Sequence, residues 1–213
     1  MREDLRERLR SFSACQVADA FDKLQMKGHM PDIILLSPDA QRRMVGPAHT
    51  VQMAPAGGGE ISKLPGHHVD SAPPGSVMVI SVHPGVTTAN WGGMMSTRAR
   101  VIGLEGVVLD GRARDIEEHR EMGFFVFARG VSVHGSGGYT RVASVGAPVS
   151  CGGMTVCEGD IILGDLNGVV VIPQGRIEEV LAKTEEMAAL DEKMTSALEG
   201  GASIADTFAK YRG

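Results

Sequence analysis

The sequence predicts an α/β protein: a sandwich of helices on a central β-structure that mixes parallel and antiparallel strands. Three observations predict it. The middle of the chain alternates apolar runs with helical stretches: "SVMVISVH" (76–83), a helix through Met94, Met95, Ala99 and Ile102, "VVLD" (107–110), "DIEEHREMG" (115–123) and "FFVFARG" (124–130). Strand–helix–strand–helix–strand is how a parallel layer is written. From Val131 to Pro173 short Val-rich pieces are separated by glycines. There Asn167-Gly168, between "DIILGD" and "VVVIP", signals an antiparallel hairpin. Finally, no linker or internal repeat breaks the 213 residues, so residues 1–213 read as one domain.

The flanking elements follow. Residues 2–27 read as helical in two pieces: Leu5, Leu9 and Phe12 repeat at helical spacing, then Ser13 supplies a cap and Val17, Ala20, Phe21 and Leu24 share a face. Gly28 is the expected stop. "MVGPAHTVQM" (44–53) reads as a strand, and "APAGGGEISKLPG" (54–66) as a glycine-rich loop with room for one helical turn. A long amphipathic helix is expected from about 175 to 200, with a short tail after it.

Composition limits the function classes. A net charge of −5 and the lack of a basic stripe argue against nucleic-acid binding. No apolar run reaches membrane-spanning length, and the charged start "MREDLRERLRSF" lacks the apolar core of a signal peptide. Three cysteines, Cys15, Cys151 and Cys157, suit a reducing cytoplasm better than a disulfide scaffold.

Two corners carry chemistry. In "VVLDGRARDIEEHREMG" (107–123), Asp110 ends a buried run, and Arg112, Arg114 and Asp115 follow within five residues. Ligands of open α/β sheets collect outside the carboxyl ends of strands. A structural alternative explains the acids equally well: Asp115 as an N-cap, with Glu118 completing an Asp-x-x-Glu capping box. The second corner is "NWGGMM" (90–95). Paired glycines before a helix bring backbone N–H groups close to a ligand, and a helix start favours an anion. A plain tight turn is the alternative. Trp91 reads as packing. "HGSGGY" (134–139) lacks the lysine of a phosphate loop and reads as a flexible turn, and His67-His68 has no metal-binding spacing.

Taken together, Gly93, twenty intervening residues, Arg114-Asp115, two more and Glu118 give G-x20-R-D-x2-E. This resembles the class II pyruvate aldolases typified by 4-hydroxy-4-methyl-2-oxoglutarate aldolase, which share a fold family with the regulator of ribonuclease activity A. "ADAFDK", "VGPAHTV", "PPGSVMVI", "GVVLDGRARD", "FFVFARG" and "GDIILGDLNGVVVIP" fall in the family's order, roughly from Ser13 to Pro173. The chain departs from the family's usual proline at Phe125, and other subgroups carry an acidic residue where Gly93 stands.

The resemblance implies a swivelling β/β/α-type sandwich and a metal-dependent lyase. Asp115 would ligate magnesium or manganese, with waters filling most of the octahedron. Asp110 and Glu118 would orient those waters. Arg114 would grip the carboxylate and C2 oxygen of a 2-oxo acid. Gly92 and Gly93 would open the helix start, where the Met94 and Met95 N–H groups hold the carboxylate. Cleavage of 4-hydroxy-2-oxo acids to pyruvate, with oxaloacetate decarboxylation as a second activity, is the implied reaction. The resemblance also implies a homotrimer or hexamer with active sites between subunits, completed by Asp191 or Glu192 of a neighbour's C-terminal helix. Glu118 favours this reading over a non-catalytic ribonuclease regulator on the same scaffold, a branch that typically lacks the acid at that position. A swivelling domain docked within a larger enzyme fits less well, because the match runs along most of the chain.

Overall fold

The computed structural model describes residues 1–38, 42–57 and 66–211. Two helices open the chain, α1 (Glu3–Arg10) and α2 (Ala14–Lys23). Strands β1 (His29–Met30), β2 (Ile34–Ser37), β3 (Met44–Pro55), β4 (Val77–Val82) and β5 (Ala89–Trp91) follow, with a short 3₁₀ turn at His68–Ser71. Next come α3 (Gly93–Val101), β6 (Gly106–Ala113), α4 (Ile116–Met122) and β7 (Phe125–Val131). Five strands complete the β-structure: β8 (Thr140–Val145), β9 (Val149–Cys151), β10 (Met154–Val156), β11 (Ile161–Asp165) and β12 (Gly168–Ile172). The chain closes with α5 (Ile177–Glu199) and α6 (Ile204–Tyr211).

The main sheet runs β1-β12-β11-β3-β4-β6-β7-β2, with β5 added beside β6 and β8 beside β3. Pairs β3–β4, β4–β6, β5–β6 and β6–β7 are parallel. Pairs β1–β12, β11–β12, β3–β11, β3–β8 and β2–β7 are antiparallel. The mixed α/β class therefore holds. Strand β3 joins the two kinds of pairing: Met44–Pro47 pair with β11, and Ala48–Met53 with β4.

Side-chain alternation sorts the strands into two facing layers. Val77 and Val79 of β4, Val108 of β6 and Phe125 and Phe127 of β7 point into one core with Ile162 of β11 and Val169 and Val171 of β12. Their sequence neighbours point the other way. Met78, Ile80, Val107, Leu109 and Val126 pack under α3 and α4, and Ile161, Leu163, Val170 and Ile172 pack under α1, α2 and α5. Strands buried on both faces read as continuous apolar runs, as these do.

Local chemistry explains the boundaries. Ser13 and Gln16 make a reciprocal capping box at the start of α2. Gln25, at φ 53°, ends that helix ahead of Gly28. Gly28 serves close packing instead: a Cβ there would lie 2.3 Å from the Phe21 ring and 2.5 Å from the Val171 carbonyl. The β11–β12 hairpin pairs Asp165 with Gly168 around Leu166 and Asn167, one residue earlier than the Asn-Gly signal suggests. Gly168 takes the positive φ of 135°, and Asp165 Oδ1 accepts from the Asn167 N–H at 2.8 Å.

Three expectations need correction. The run through Asp110 does not end at that residue. It continues to Ala113, because β5 and β7 supply pairing partners for Arg112 and Ala113. Strand β5 lies in a stretch read as a turn before a helix, β1 and β2 lie in residues to which no element was assigned, and the expected tail folds into α6. Residues 58–65, where a loop with one helical turn is expected, lie outside the described residues.

Candidate active site

The two corners meet. Trp91 is 1% exposed, donates from Nε1 to Ser96 Oγ at 2.7 Å and stacks on Phe124, which fixes the end of β5 in the core. Its carbonyl accepts from the Arg114 N–H at 3.0 Å, so the start of α3 and the Arg114-Asp115 pair are joined through the backbone.

Asp115 occupies the N-cap position of α4, but in the left-handed region at φ 61°, and its side chain caps nothing in its own helix. That conformation is uncommon outside glycine, asparagine and aspartate. It turns the carboxylate across to α3, where Oδ2 accepts from the Gly93 N–H at 2.9 Å and lies 3.4 Å from Arg114 Nε. The capping-box alternative is thereby overturned. Glu118, one turn on, lays its carboxylate over the same glycine: a Cβ on Gly93 would fall 1.7 Å from Glu118 Oε2. Gly92 is equally closed, with Asp115 Oδ2 2.7 Å from where its Cβ would be. The glycines of the motif are therefore spaces that two carboxylates occupy.

The cleft at this corner has a volume of about 580 Å³ and is lined by Ala89 through Met95, Arg114, Asp115 and the segment His134–Gly137. Its anion-binding groups differ in part from those expected. The Gly93 N–H is taken by Asp115, and the Met95 N–H is turned into the helix, bonded to the Gly92 carbonyl at 3.0 Å by the tight first turn. Among the described residues the Met94 N–H has no hydrogen-bond acceptor and remains available at the helix start. The Arg114 guanidinium stands beside it, half-exposed.

Asp110 is not brought to this cleft. Its Oδ1 is paired with Arg129 Nε, and its Oδ2 accepts from the Gly152 N–H at 2.8 Å. It belongs to a neighbouring cavity of about 350 Å³ with Ser81, His83, Arg112 and Ser150. A carboxylate with both oxygens engaged ties β6 to β7 and to the β9–β10 turn. Beside it, burial pushes the Cys151 thiol far up, with the Asp110 charge adding to the effect. Asp191 lines a separate cleft between α2 and the C-terminal helices, with Asp19, Lys23 and Lys183.

Two features were not legible in advance. His119, in the last turn of α4, is fully buried and neither ring nitrogen is hydrogen-bonded. Burial pushes its pKa down, while the charges of Asp115 and Glu118 pull it up. The second is the "HGSGGY" segment, which forms a wall of the cleft rather than a detached turn. The only hint of a role was its superficial likeness to a phosphate loop, without that loop's lysine.

Asp115 and Glu118 are the residues here that could hold a hard divalent cation. Asp115 and Glu118 are oxygen donors on one glycine-lined spot. Among the described residues no three His, Cys, Asp or Glu side chains converge as a closed metal cage. One or two carboxylates with several waters is how magnesium is commonly held.

Fold and site together define an α/β sandwich in which an Arg-Asp corner and a following glutamate close on a glycine-led helix start. Residues 14–171 match the family model described as Aldolase/RraA, and the chain belongs to the RraA-like family. It is 37% identical over 156 residues to a protein of Halalkalibacterium halodurans provisionally named 4-hydroxy-4-methyl-2-oxoglutarate aldolase, a match covering 73% of this chain and 72% of that one. Its structure is similar to that of an uncharacterized protein from Pseudomonas syringae pv. tomato, with a TM-score of 0.85 and 27% identity over 97% of this chain and 98% of that one. It is also similar in fold to RraAS2 of Streptomyces coelicolor, described as an unusual member of the RNase ES inhibitor RraA protein family. There the TM-score is 0.79 and the identity 23%, over 90% of this chain and 96% of that one.

Proposed function

We propose that this chain is a divalent-metal-dependent lyase that cleaves 4-hydroxy-4-methyl-2-oxoglutarate or related 4-hydroxy-2-oxo acids to pyruvate, with oxaloacetate decarboxylation as a second activity. The observation that carries the reading is the convergence of Arg114, Asp115 and Glu118 on the Gly92-Gly93 pair at the start of α3. The name of the Halalkalibacterium halodurans relative supports the substrate class.

Asp115 would hold magnesium or manganese directly, and Glu118 would do so through water. The ion, when bound, supplies Lewis acidity at the carboxylate and keto oxygens of the 2-oxo acid. Arg114 and the Met94 N–H bind the carboxylate and orient C2 and C3 in the cleft. When the C3–C4 bond breaks, its electron pair becomes the enolate of pyruvate. The Arg114 guanidinium is a fixed donor for the charge growing on the C2 oxygen, where preorganised donors act most strongly. In the aldol reaction the C4 hydroxyl loses its proton and C4 becomes a carbonyl. Glu118 would relay that proton through water. In decarboxylation C4 leaves as CO2, so no such base is needed. Asp110, engaged by Arg129 and Gly152, acts in this reading by holding β6 in place.

The assembly proposed with this reading is a homotrimer or hexamer, in which Asp191 or Glu192 from a neighbour's α5 completes the water shell. A second reading is a non-catalytic regulator of a ribonuclease, and the fold likeness to RraAS2 favours it. One assay separates the two: pyruvate release from 4-hydroxy-4-methyl-2-oxoglutarate, 4-carboxy-4-hydroxy-2-oxoadipate and oxaloacetate, with and without magnesium. The lyase reading expects magnesium-dependent release from at least one of them. Release from none moves the regulator ahead.

A further inference from the structure

One wall of the cleft is the segment His134–Gly137, and β5 holds the stretch that carries it on both sides. The Ala89 N–H donates to the His134 carbonyl at 2.7 Å, and Ala89 bridges to Gly135. Asn90 Nδ2 donates to Thr140 Oγ1 at 2.8 Å just past the other end. The segment is therefore fixed to the strand that leads into the α3 start. Gly135 lies against the arginine: a Cβ there would be 2.8 Å from Arg114 Nη1. His134 and Ser136 flank that contact and line the cleft. The exposed His134 ring meets Tyr139 edge-on, with centroids 5.1 Å apart, which orients it. An independent sign of a ligand that carries a donor, as the C4 hydroxyl of the aldol substrate does, is Asn90. Its side chain lines the same cleft and is 2% exposed, yet its Oδ1 has no hydrogen-bond partner.

We propose that His134 and Ser136 read the substituents on C4 of the aldol substrate, with Tyr139 as a positioning residue for the His134 ring. The inference rests on the lyase reading. With C1 and C2 bound at Arg114 and the Met94 N–H, the atoms beyond C3 must extend along the cleft. Asp115 and Glu118, given to the metal in this reading, offer no hydrogen-bond donor to a distal anionic group. The His134–Gly137 wall offers the imidazole and hydroxyl donors, so a distal carboxylate or other hydrogen-bond acceptor is held there. A site built with donors for a distal group discriminates strongly against substrates that lack it. Oxaloacetate is shorter, and its C4 carboxylate leaves as neutral CO2, so donors that stabilise the anion do not assist its decarboxylation.

The test is steady-state kinetics of the full chain with magnesium on 4-hydroxy-4-methyl-2-oxoglutarate and on oxaloacetate. The variants are His134→Ala, Tyr139→Phe and Tyr139→Ala. Loss of one hydrogen bond to a charged group is expected to raise KM for the aldol substrate about tenfold in His134→Ala, with kcat within about twofold and oxaloacetate KM within about twofold. Tyr139→Phe keeps the ring edge and should behave as wild type, whereas Tyr139→Ala should share part of the KM defect. Equal losses on both substrates, or no change on either, overturn the inference alone. A wild-type chain that releases pyruvate from neither substrate overturns the lyase reading, and the inference with it.

Discussion

Arg114 is confined by its neighbours: Asp115 Oδ2 lies on Nε, Gly92 beneath and Gly135 against Nη1. A planar fork fits that slot and a lysine does not, although lysine keeps the charge. Arg114→Lys is therefore expected to lower kcat for pyruvate formation by about 10²–10³, the usual loss for a donor at a developing oxyanion. Thermal unfolding should barely move, by less than about 0.5 kcal/mol, because the side chain is half-exposed. Turnover at the wild-type rate would remove Arg114 from the reacting centre. His68 gives a second prediction at this scale. Burial, and then the neighbouring His67 and His49, push its pKa down to about 4, and its Nε2 has no partner. The unfolded chain takes up the proton near the ordinary value, so the native state is penalised as pH falls from about 6.5 toward 4. Urea unfolding should show a loss of about 2 kcal/mol from this group between pH 7 and pH 5, and His68→Asn should remove that part of the slope. A wild-type stability equal at both pH values would contradict it. The motif residues were legible because their spacing encodes the meeting of two corners. The pairing of Asp110 with Arg129 was not legible, because an acid late in a strand looks the same whether or not an arginine nineteen residues away meets it.

At the scale of elements, the start of α3 and the first turn of α4 act as one unit, since carboxylates from α4 fill the space that side chains on Gly92 and Gly93 would need. Gly93→Ala tests that unit. Alanine suits a helix as well as or better than glycine, so stability should hold within about 1 kcal/mol. The added Cβ overlaps Glu118 Oε2, so the carboxylate must move, and displacement of a working group by about 1 Å can cost roughly 10²-fold in rate. A variant with unchanged kcat would show that the Glu118 position does not matter to the reaction. The long elements were readable in advance: β4, β6 and β7 are buried on both faces, and α5 repeats its apolar positions. The two-to-four-residue strands β1, β2 and β5 were not, because each is defined by a distant partner: β12, β7 and β6. For the same reason "HGSGGY" passed as a loose turn; its attachment to Ala89 joins residues far apart in the chain.

For the molecule as a whole, two strand layers face each other across the core of Phe127, Val79 and Val171, and helices cover the outer faces. Strand β3 passes from one layer to the other, so the antiparallel end is built onto the same frame that aims β5 and β6 at the cleft. The sandwich class followed from the order of apolar runs. The long-range pairing that makes a ten-stranded sheet has no local signature. The central claim is that an Asp115-held divalent cation serves pyruvate-forming cleavage at this corner. Its most direct test is pyruvate release from 4-hydroxy-4-methyl-2-oxoglutarate by wild type and Asp115→Asn, first stripped with EDTA and then titrated with magnesium or manganese. The predicted result is loss of activity on stripping, recovery in wild type, and little recovery in Asp115→Asn at the same metal concentration. Full metal-dependent turnover by Asp115→Asn, or undiminished wild-type release in EDTA, would contradict the claim.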